Sequence, residues 1–332
     1  FCGSRTGLRL VSDDKAATTG QRTGTGEPAK FVTGSTMRHV VVMTATGSIG
    51  LVAVFIVDAL NLFYISLLGQ QELAAAIGYA GTLLFFSTSV AIGLSIAATA
   101  LTARALGRGN RSEAREIAGA SIAYMVILMT STVALAYPFL GDLVLMMGAK
   151  GQTAELATEF MQIVLPSLPI LGIGMCLSAL LRAVGDAKRA MYVTLGAGAL
   201  TAVLDPVFIF GFELGIHGAA IATVISRFAL VGIGLYSLIR IHNLVAMPSL
   251  TILKHEIRPF LGIGLPALMT QIATPVGNTF VTTTMAEHGD AAVAGWAVVG
   301  RLIPVAFGTL FALSGAVGPI LGQNYGARRY DR

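Results

Sequence analysis

Two carboxylates stand where carboxylates are costly. Asp205 interrupts the apolar run Leu200-Thr201-Ala202-Val203-Leu204-Asp205-Pro206-Val207-Phe208-Ile209-Phe210, and Asp58 follows Val57 in a second such run. Where a run of this kind crosses a membrane, an ionisable group inside it is expensive and marks a functional site by default. A proton or a bound cation removes the charge and its cost. Each acid is therefore a reversible binding point whose loaded and empty forms favour different helix packings. Asn61 lies three residues after Asp58 and Thr201 four before Asp205. Each shares a helix face with its acid and can orient a proton or lend an oxygen to Na+.

The elements that must carry these groups follow from composition. The chain has 332 residues, 55% hydrophobic and 12% charged, with mean hydropathy +0.76. A soluble domain carries about 25% charged residues, so this composition excludes a soluble globular protein and predicts a polytopic one in contact with the lipid bilayer. A spanning helix needs about 20 mostly apolar residues. Eight stretches meet that need, at 40–67, 75–103, 117–140, 157–181, 190–211, 217–239, 258–285 and 292–322. Short polar or Gly/Pro turns separate them, so the expected fold class is an all-α helical bundle, because lipid leaves no partner for open backbone.

Lys and Arg placement orients the bundle. With the N-terminus cytoplasmic, inside loops hold 14 basic residues and outside loops one, Lys150. Of the 17 acids only Asp58 and Asp205 fall within the stretches away from their ends, Glu159 being at the edge of the fourth. Stretches one and five then run the same way, and both acids sit in the outer half at similar depth. The expected location is the plasma (bacterial inner) membrane, multi-pass. The net charge of +5 is spread over short loops and forms no stripe for nucleic acid.

An internal repeat divides the chain. Gly69-Gln70-Gln71-Glu72-Leu73-Ala74-Ala75-Ala76 resembles Gly289-Asp290-Ala291-Ala292-Val293-Ala294-Gly295, and Ala105-Leu106-Gly107 resembles Asn324-Tyr325-Gly326. Six stretches separate the copies, which makes the halves parallel repeats. The expected organisation is a disordered polar tail over 1–37, a six-helix lobe over 38–242, a cytoplasmic linker over 243–257, and the first two helices of a second lobe over 258–332. On this reading the chain stops four helices short, and Met37 is a candidate start.

The ordered motifs Val57-Asp58, Leu68-Gly69, Leu181-Arg182-Ala183-Val184-Gly185-Asp186, Leu204-Asp205-Pro206-Val207-Phe208-Ile209-Phe210, Gly215-Ile216-His217-Gly218-Ala219-Ala220 and Gly322-Gln323-Asn324-Tyr325-Gly326-Ala327 together resemble the multidrug and toxic compound extrusion (MATE) transporters over about 38–332. The resemblance implies a two-lobed, twelve-helix antiporter that exports amphipathic, often cationic, organic compounds against H+ or Na+, with no other cofactor. It implies a cation site at Asp58 and Asp205, with Thr223 matching a helix-six threonine. The family pattern has Asn where this chain has Thr201, and a helix-one proline where this chain has none between Arg38 and Leu73; Gly47 and Gly50 are the substitutes for flexibility. The protein is expected to act as a monomer.

Four further polar residues lie in apolar stretches. Gln271 and Asn278 are candidates to line a central cavity, with hydrogen-bonded packing as the alternative. Arg227 and Arg301 are candidates for the same cavity or, preferentially, for a structural role. A flippase for lipid-linked saccharides is a second function; only two in-helix arginines are present to hold a pyrophosphate, which weighs against it. An intramembrane aspartyl protease is a third, and needs two carboxyls a few ångströms apart; the Gly-x-Gly-Asp motif of such proteases is absent at both acids. The glycines at 318, 322 and 326 fit close helix packing, and neither the five histidines nor Cys2 and Cys176 have metal or disulfide spacing.

Overall fold

The computed structural model describes residues 29–68, 71–288 and 290–332. Gly69, Gln70 and Gly289, where the first repeat motif was read, lie outside the described residues, as do Cys2 and the side chain of Arg301. Among the described residues the protein is helical throughout, with ten α-helices: α1 (Thr36–Ser66), α2 (Gln71–Gly107), α3 (Arg111–Ala136), α4 (Leu140–Met146), α5 (Gly151–Val164), α6 (Leu168–Val184), α7 (Ala187–Pro206), α8 (Gly215–Leu235), α9 (Leu250–Ala286) and α10 (Asp290–Gly326). They form eight stretches long and apolar enough to cross a membrane, in the order the sequence predicts.

Ten helices make eight spans because prolines break two of them. Pro138 and Pro166 sit in 3-10 turns at Tyr137–Phe139 and Leu165–Ser167. Proline has no N–H and its ring crowds the preceding turn, so α3 runs into α4, and α5 into α6, through one tightened turn. Polar caps start the helices on schedule: Ser35 accepts from Arg38 N, Asn110 from Glu113 N, Asp186 from Arg189 N and Ser249 from Ile252 N. Gly185 takes the left-handed φ of +91° that closes α6.

Two boundaries differ from expectation. The linker expected over 243–257 is shorter, because α9 already begins at Leu250. Its first turns carry Lys254, His255, Glu256 and Arg258, which hid the helix from a reading based on apolar length. The tail expected to be disordered as far as residue 37 instead folds from Lys30, in a 3-10 turn whose Phe31 is buried.

The core of the first six spans centres on Met125, Met129, Met161, Leu168, Leu177 and Leu181. Glycines bring the backbones together: a Cβ at Gly172 would strike Met129, one at Gly234 would strike Leu177, and one at Gly218 would meet the Phe208 backbone. Small residues at helix crossings are the usual means of close packing in lipid, where apolar side chains gain little from burial. The last two spans dock the same way. A Cβ at Gly93 of α2 would lie 2.7 Å from Leu268 Cα of α9, and Gly322 of α10 packs on Ala103 of α2. Gly326 packs still more closely on Arg104, whereas Gly318 lies in open space.

Arg227 illustrates how a charge is absorbed. It is buried on α8 and donates to Val164 O at 2.9 Å and to Ser167 Oγ at 2.6 Å. Val164 O is a carbonyl at the proline break, and the guanidinium supplies a donor there. This replaces the cavity-wall position considered for Arg227 with a structural one.

Candidate functional site

α1 and α7 run side by side in the same direction, and their contacts climb both helices in step. Gly50 faces Met191, Gly198 lies against Val57, Asn61 meets Asp205, and the Tyr64 ring sits edge-on to Phe210 at 6.4 Å. The glycine at 198 lets the helices close: a Cβ there would be 3.1 Å from Val57. Lower in the same seam, Gly47 packs on Ala312 of α10. A cavity of about 100 Å³ opens beside Gly47, Gly50, Met191 and Arg182.

At the upper end of this seam Asp205 is fully buried. Its Oδ2 accepts a 3.1 Å hydrogen bond from Asn61 Nδ2. Its Oδ1 is also buried and accepts no hydrogen bond from the described residues. A buried carboxylate oxygen with no donor is costly while charged. A proton on Oδ1, or a cation beside it, removes that cost. Because Asn61 donates through Nδ2, its own carbonyl oxygen remains free to act as a ligand.

The backbone beyond Asp205 is irregular. Pro206 ends the α-helix, and Val207–Gly211 continues as a π-helical turn, with Phe212 N donating to Val207 O. A π-turn interrupts the regular ladder and recurs at functional sites. Glu213 follows with a positive φ of 55°. A cavity of about 430 Å³ opens here, lined by Leu68, Leu73, Ile209, Phe210, Glu213 and His217. At its edge His217 pairs with Glu159 at 3.1 Å.

The remaining candidates separate by position. Asp58 is exposed on α1, one helical turn before Asn61, and by the seam's register stands level with the turn holding Thr201. Thr201 Oγ1 donates to Ala197 O and Thr223 Oγ1 to Ala219 O, so both hydroxyls are turned onto their own helices. Gln271 is half-buried and Asn278 exposed, two turns apart on α9. Among these candidates the structure joins Asn61 to an acid, Asp205. The π-turn and the Tyr64–Phe210 contact were missed in the sequence, although Pro206 directly after the acid was a usable signal. Among the described residues no group of three or more His, Cys, Asp or Glu side chains is placed to hold a metal.

At the other end of α7, Asp186 is the helix cap. Its Oδ2 is held by His242 Nε2 at 2.8 Å and by the Arg189 guanidinium. Burial alone would raise this carboxyl; the hydrogen bonds from His242 and Arg189, with the Arg189 charge, outweigh it and hold Asp186 well below the usual carboxylate range. Asp186 therefore stays charged and fixed.

Comparison with known proteins fits this arrangement. The MatE family model matches residues 44–207 and 266–332. The FAD transporter of Shewanella oneidensis is 29% identical over 297 residues, 87% of this chain and 65% of the relative. The multidrug export protein MepA of Staphylococcus aureus is 25% identical over 285 residues, 83% of this chain and 62% of MepA. The chain thus spans less than two thirds of these relatives' length. Among solved structures, a MOP-superfamily transporter from Pyrococcus furiosus superposes with a TM-score of 0.84 at 25% identity, over 92% of this chain and 68% of that one. A variant of the Vibrio cholerae MATE transporter VcmN gives 0.84 at 25%, over 89% and 67%. Since the MatE model matches well over half of the chain, this multi-pass membrane chain belongs to the MatE family, whose members are secondary transporters and not enzymes.

Proposed function

We propose that the protein is a cation-coupled antiporter that exports amphipathic, often cationic, organic compounds by alternating access. It acts as a monomer in the plasma membrane, with the N-terminus and the basic loops cytoplasmic. Arrival of H+ or Na+ at Asp205 neutralises the buried carboxylate and repacks the α1/α7 seam. Asp58, one turn lower and exposed, acts as the entry or relay carboxylate. Substrate occupies the space between the two lobes, with Gln271 and Asn278 of α9 as candidate contacts. The observation that carries this reading is Asp205 itself, with one oxygen held by Asn61 and the other buried without a donor among the described residues.

The name of the Shewanella relative, FAD transporter, supports a second reading in which the exported compound is a flavin dinucleotide and not a cation. Efflux from cells expressing the full-length protein separates the two. A cationic dye and FAD are supplied in turn, with pH and Na+ gradients imposed one at a time. The first reading expects dye efflux that collapses with one of the two gradients, and that loses its ion dependence in Asp205→Asn. Efflux of FAD but not the dye selects the second. Ion dependence unchanged in both Asp58→Asn and Asp205→Asn removes these carboxylates from the coupling.

A further inference from the structure

The end of the bundle opposite Asp205 carries contacts that the transport site does not use. Phe31 lies ahead of α1 on the 3-10 turn Lys30–Val32, yet it is only 1% exposed. It packs with Met43 of α1, Ala187 of α7, and Ala316 and Ile320 of α10. One aromatic side chain thus plugs a junction between helices of the first repeat and a helix of the second.

The plug is held by its backbone. Phe31 N donates to Gln323 Oε1 at 2.8 Å, and Phe31 O accepts from Asn324 Nδ2 at 3.2 Å. Gln323, fully buried on α10, uses its other end as well: Nε2 donates to Ala183 O of α6 at 2.7 Å. That amide joins three segments, and both of its polar atoms are spent. Lys30 Nζ donates to Gly185 O at 2.8 Å. The seat requires glycine there, since a Cβ at Gly185 would lie 2.8 Å from Lys30 and 3.1 Å from Phe31. Beyond α10, the Arg332 guanidinium binds the carbonyls of Val32 and Gly34.

Helices α2 and α10 also cross here without side-chain cushioning. A Cβ at Gly107 would overlap Gln323 O, and one at Gly326 would overlap Arg104 O. These contacts cannot loosen by degrees. Moving the end of α10 away from the first repeat unpairs both ends of Gln323 and uncovers Phe31 in one step, and buried amides left without partners are costly. Such a junction has two states, joined or parted.

We propose that Lys30–Gly34 is a latch: Phe31, clasped by Gln323 and Asn324, pins α10 to α6 and α7 and keeps this basic end of the bundle closed. The latch rests on the alternating-access reading above, in which the repeats part at this end in the other half of the cycle. Releasing Phe31 is then a required step of opening, and weakening it shifts the resting population toward the open form.

The test uses the full-length protein with Cys2→Ala, Cys176→Ala and any further native cysteine replaced, and spin labels at the exposed positions Arg108→Cys and Arg328→Cys, just beyond the ends of α2 and α10. Distances are read without substrate or ion gradient. The latch predicts one short-distance population in the parent, and a longer-distance population that grows on the order of tenfold in Phe31→Ala and less in Phe31→Leu. Gln323→Glu, which keeps an acceptor for Phe31 N but loses the donor to Ala183, gives the same shift and serves if Phe31→Ala does not fold. Distance distributions identical to the parent in the folded variants overturn the latch. Since no transport is measured, failure of the efflux experiment leaves this result standing, and unchanged distances beside normal efflux reject the latch alone.

Discussion

The two ends of the α1/α7 seam are built on opposite terms. At the upper end a carboxylate is buried with one oxygen unmet, and the helix beside it passes from α to π geometry. At the lower end Asp186 has three donors, Gln323 has both atoms engaged, and glycines press helix on helix. A site that must accept and release a charge cannot also be fully satisfied. Its stability has to come from elsewhere, and here it comes from the lower end. The contrast is one of polar satisfaction more than of burial: Asp205 is the more buried of the two acids, yet it holds fewer hydrogen bonds.

This contrast can be broken by mutation. The largest effect is expected at Asp205→Asn, which removes the switchable charge while keeping its shape and its Asn61 neighbour. Ion-driven export should fall by on the order of 100-fold, while the purified protein melts at or above the parent temperature, because a buried charge has been removed. A lower melting temperature would make Asp205 a structural acid. Gln323→Leu comes next. It strands Phe31 N and Ala183 O, and each unmet buried group costs about 1–3 kcal/mol, to be read as a fall in thermal stability. Asp186→Ala loses a helix cap and the contacts to His242 and Arg189, a cost of about 1–3 kcal/mol.

The sign of the Asp186 effect with pH is fixed by its lowered titration. The folded protein holds this carboxyl charged below its unfolded value of about 4, so its contribution is full above that pH and fades as pH falls further. The stability gap between the parent and Asp186→Ala should therefore be flat from neutral pH down to about 4 and narrow only below it. The smallest effects are expected at Thr201→Val and Thr223→Val. Both hydroxyls serve their own helix carbonyls, so stability should move by less than about 0.5 kcal/mol and ion-driven transport should persist. A large transport loss in either would bring that hydroxyl into the site and narrow the difference between the two ends.

Much of this was legible in the residues. Apolar length marked the spans, since a membrane helix must be both long and uncharged, and the same rule made Asp58 and Asp205 stand out. Parallel α1 and α7 followed from counting spans and placing arginines. What escaped depended on partners distant in sequence. Phe31 is one aromatic in a Gly- and Thr-rich tail, and its seat is built by Gln323, nearly the whole chain away. Arg227 was read preferentially as structural, but its partner was not legible, because the carbonyl it satisfies belongs to a break in another helix. The start of α9 was hidden by its charged first turns, which apolar length cannot see. Hydroxyl directions at Thr201 and Thr223 carry no sequence signature, since the same face allows either an acid or a backbone partner.

The central claim is that Asp205 is the charge whose neutralisation drives the cycle. Proteoliposomes containing the full-length protein offer the most direct test: a pH or Na+ step is imposed, and uptake of a cationic dye is followed in the parent and in Asp205→Asn. The account predicts gradient-driven uptake in the parent, and in Asp205→Asn only dye exchange that ignores the gradient. Gradient-driven uptake of equal size in Asp205→Asn would contradict it.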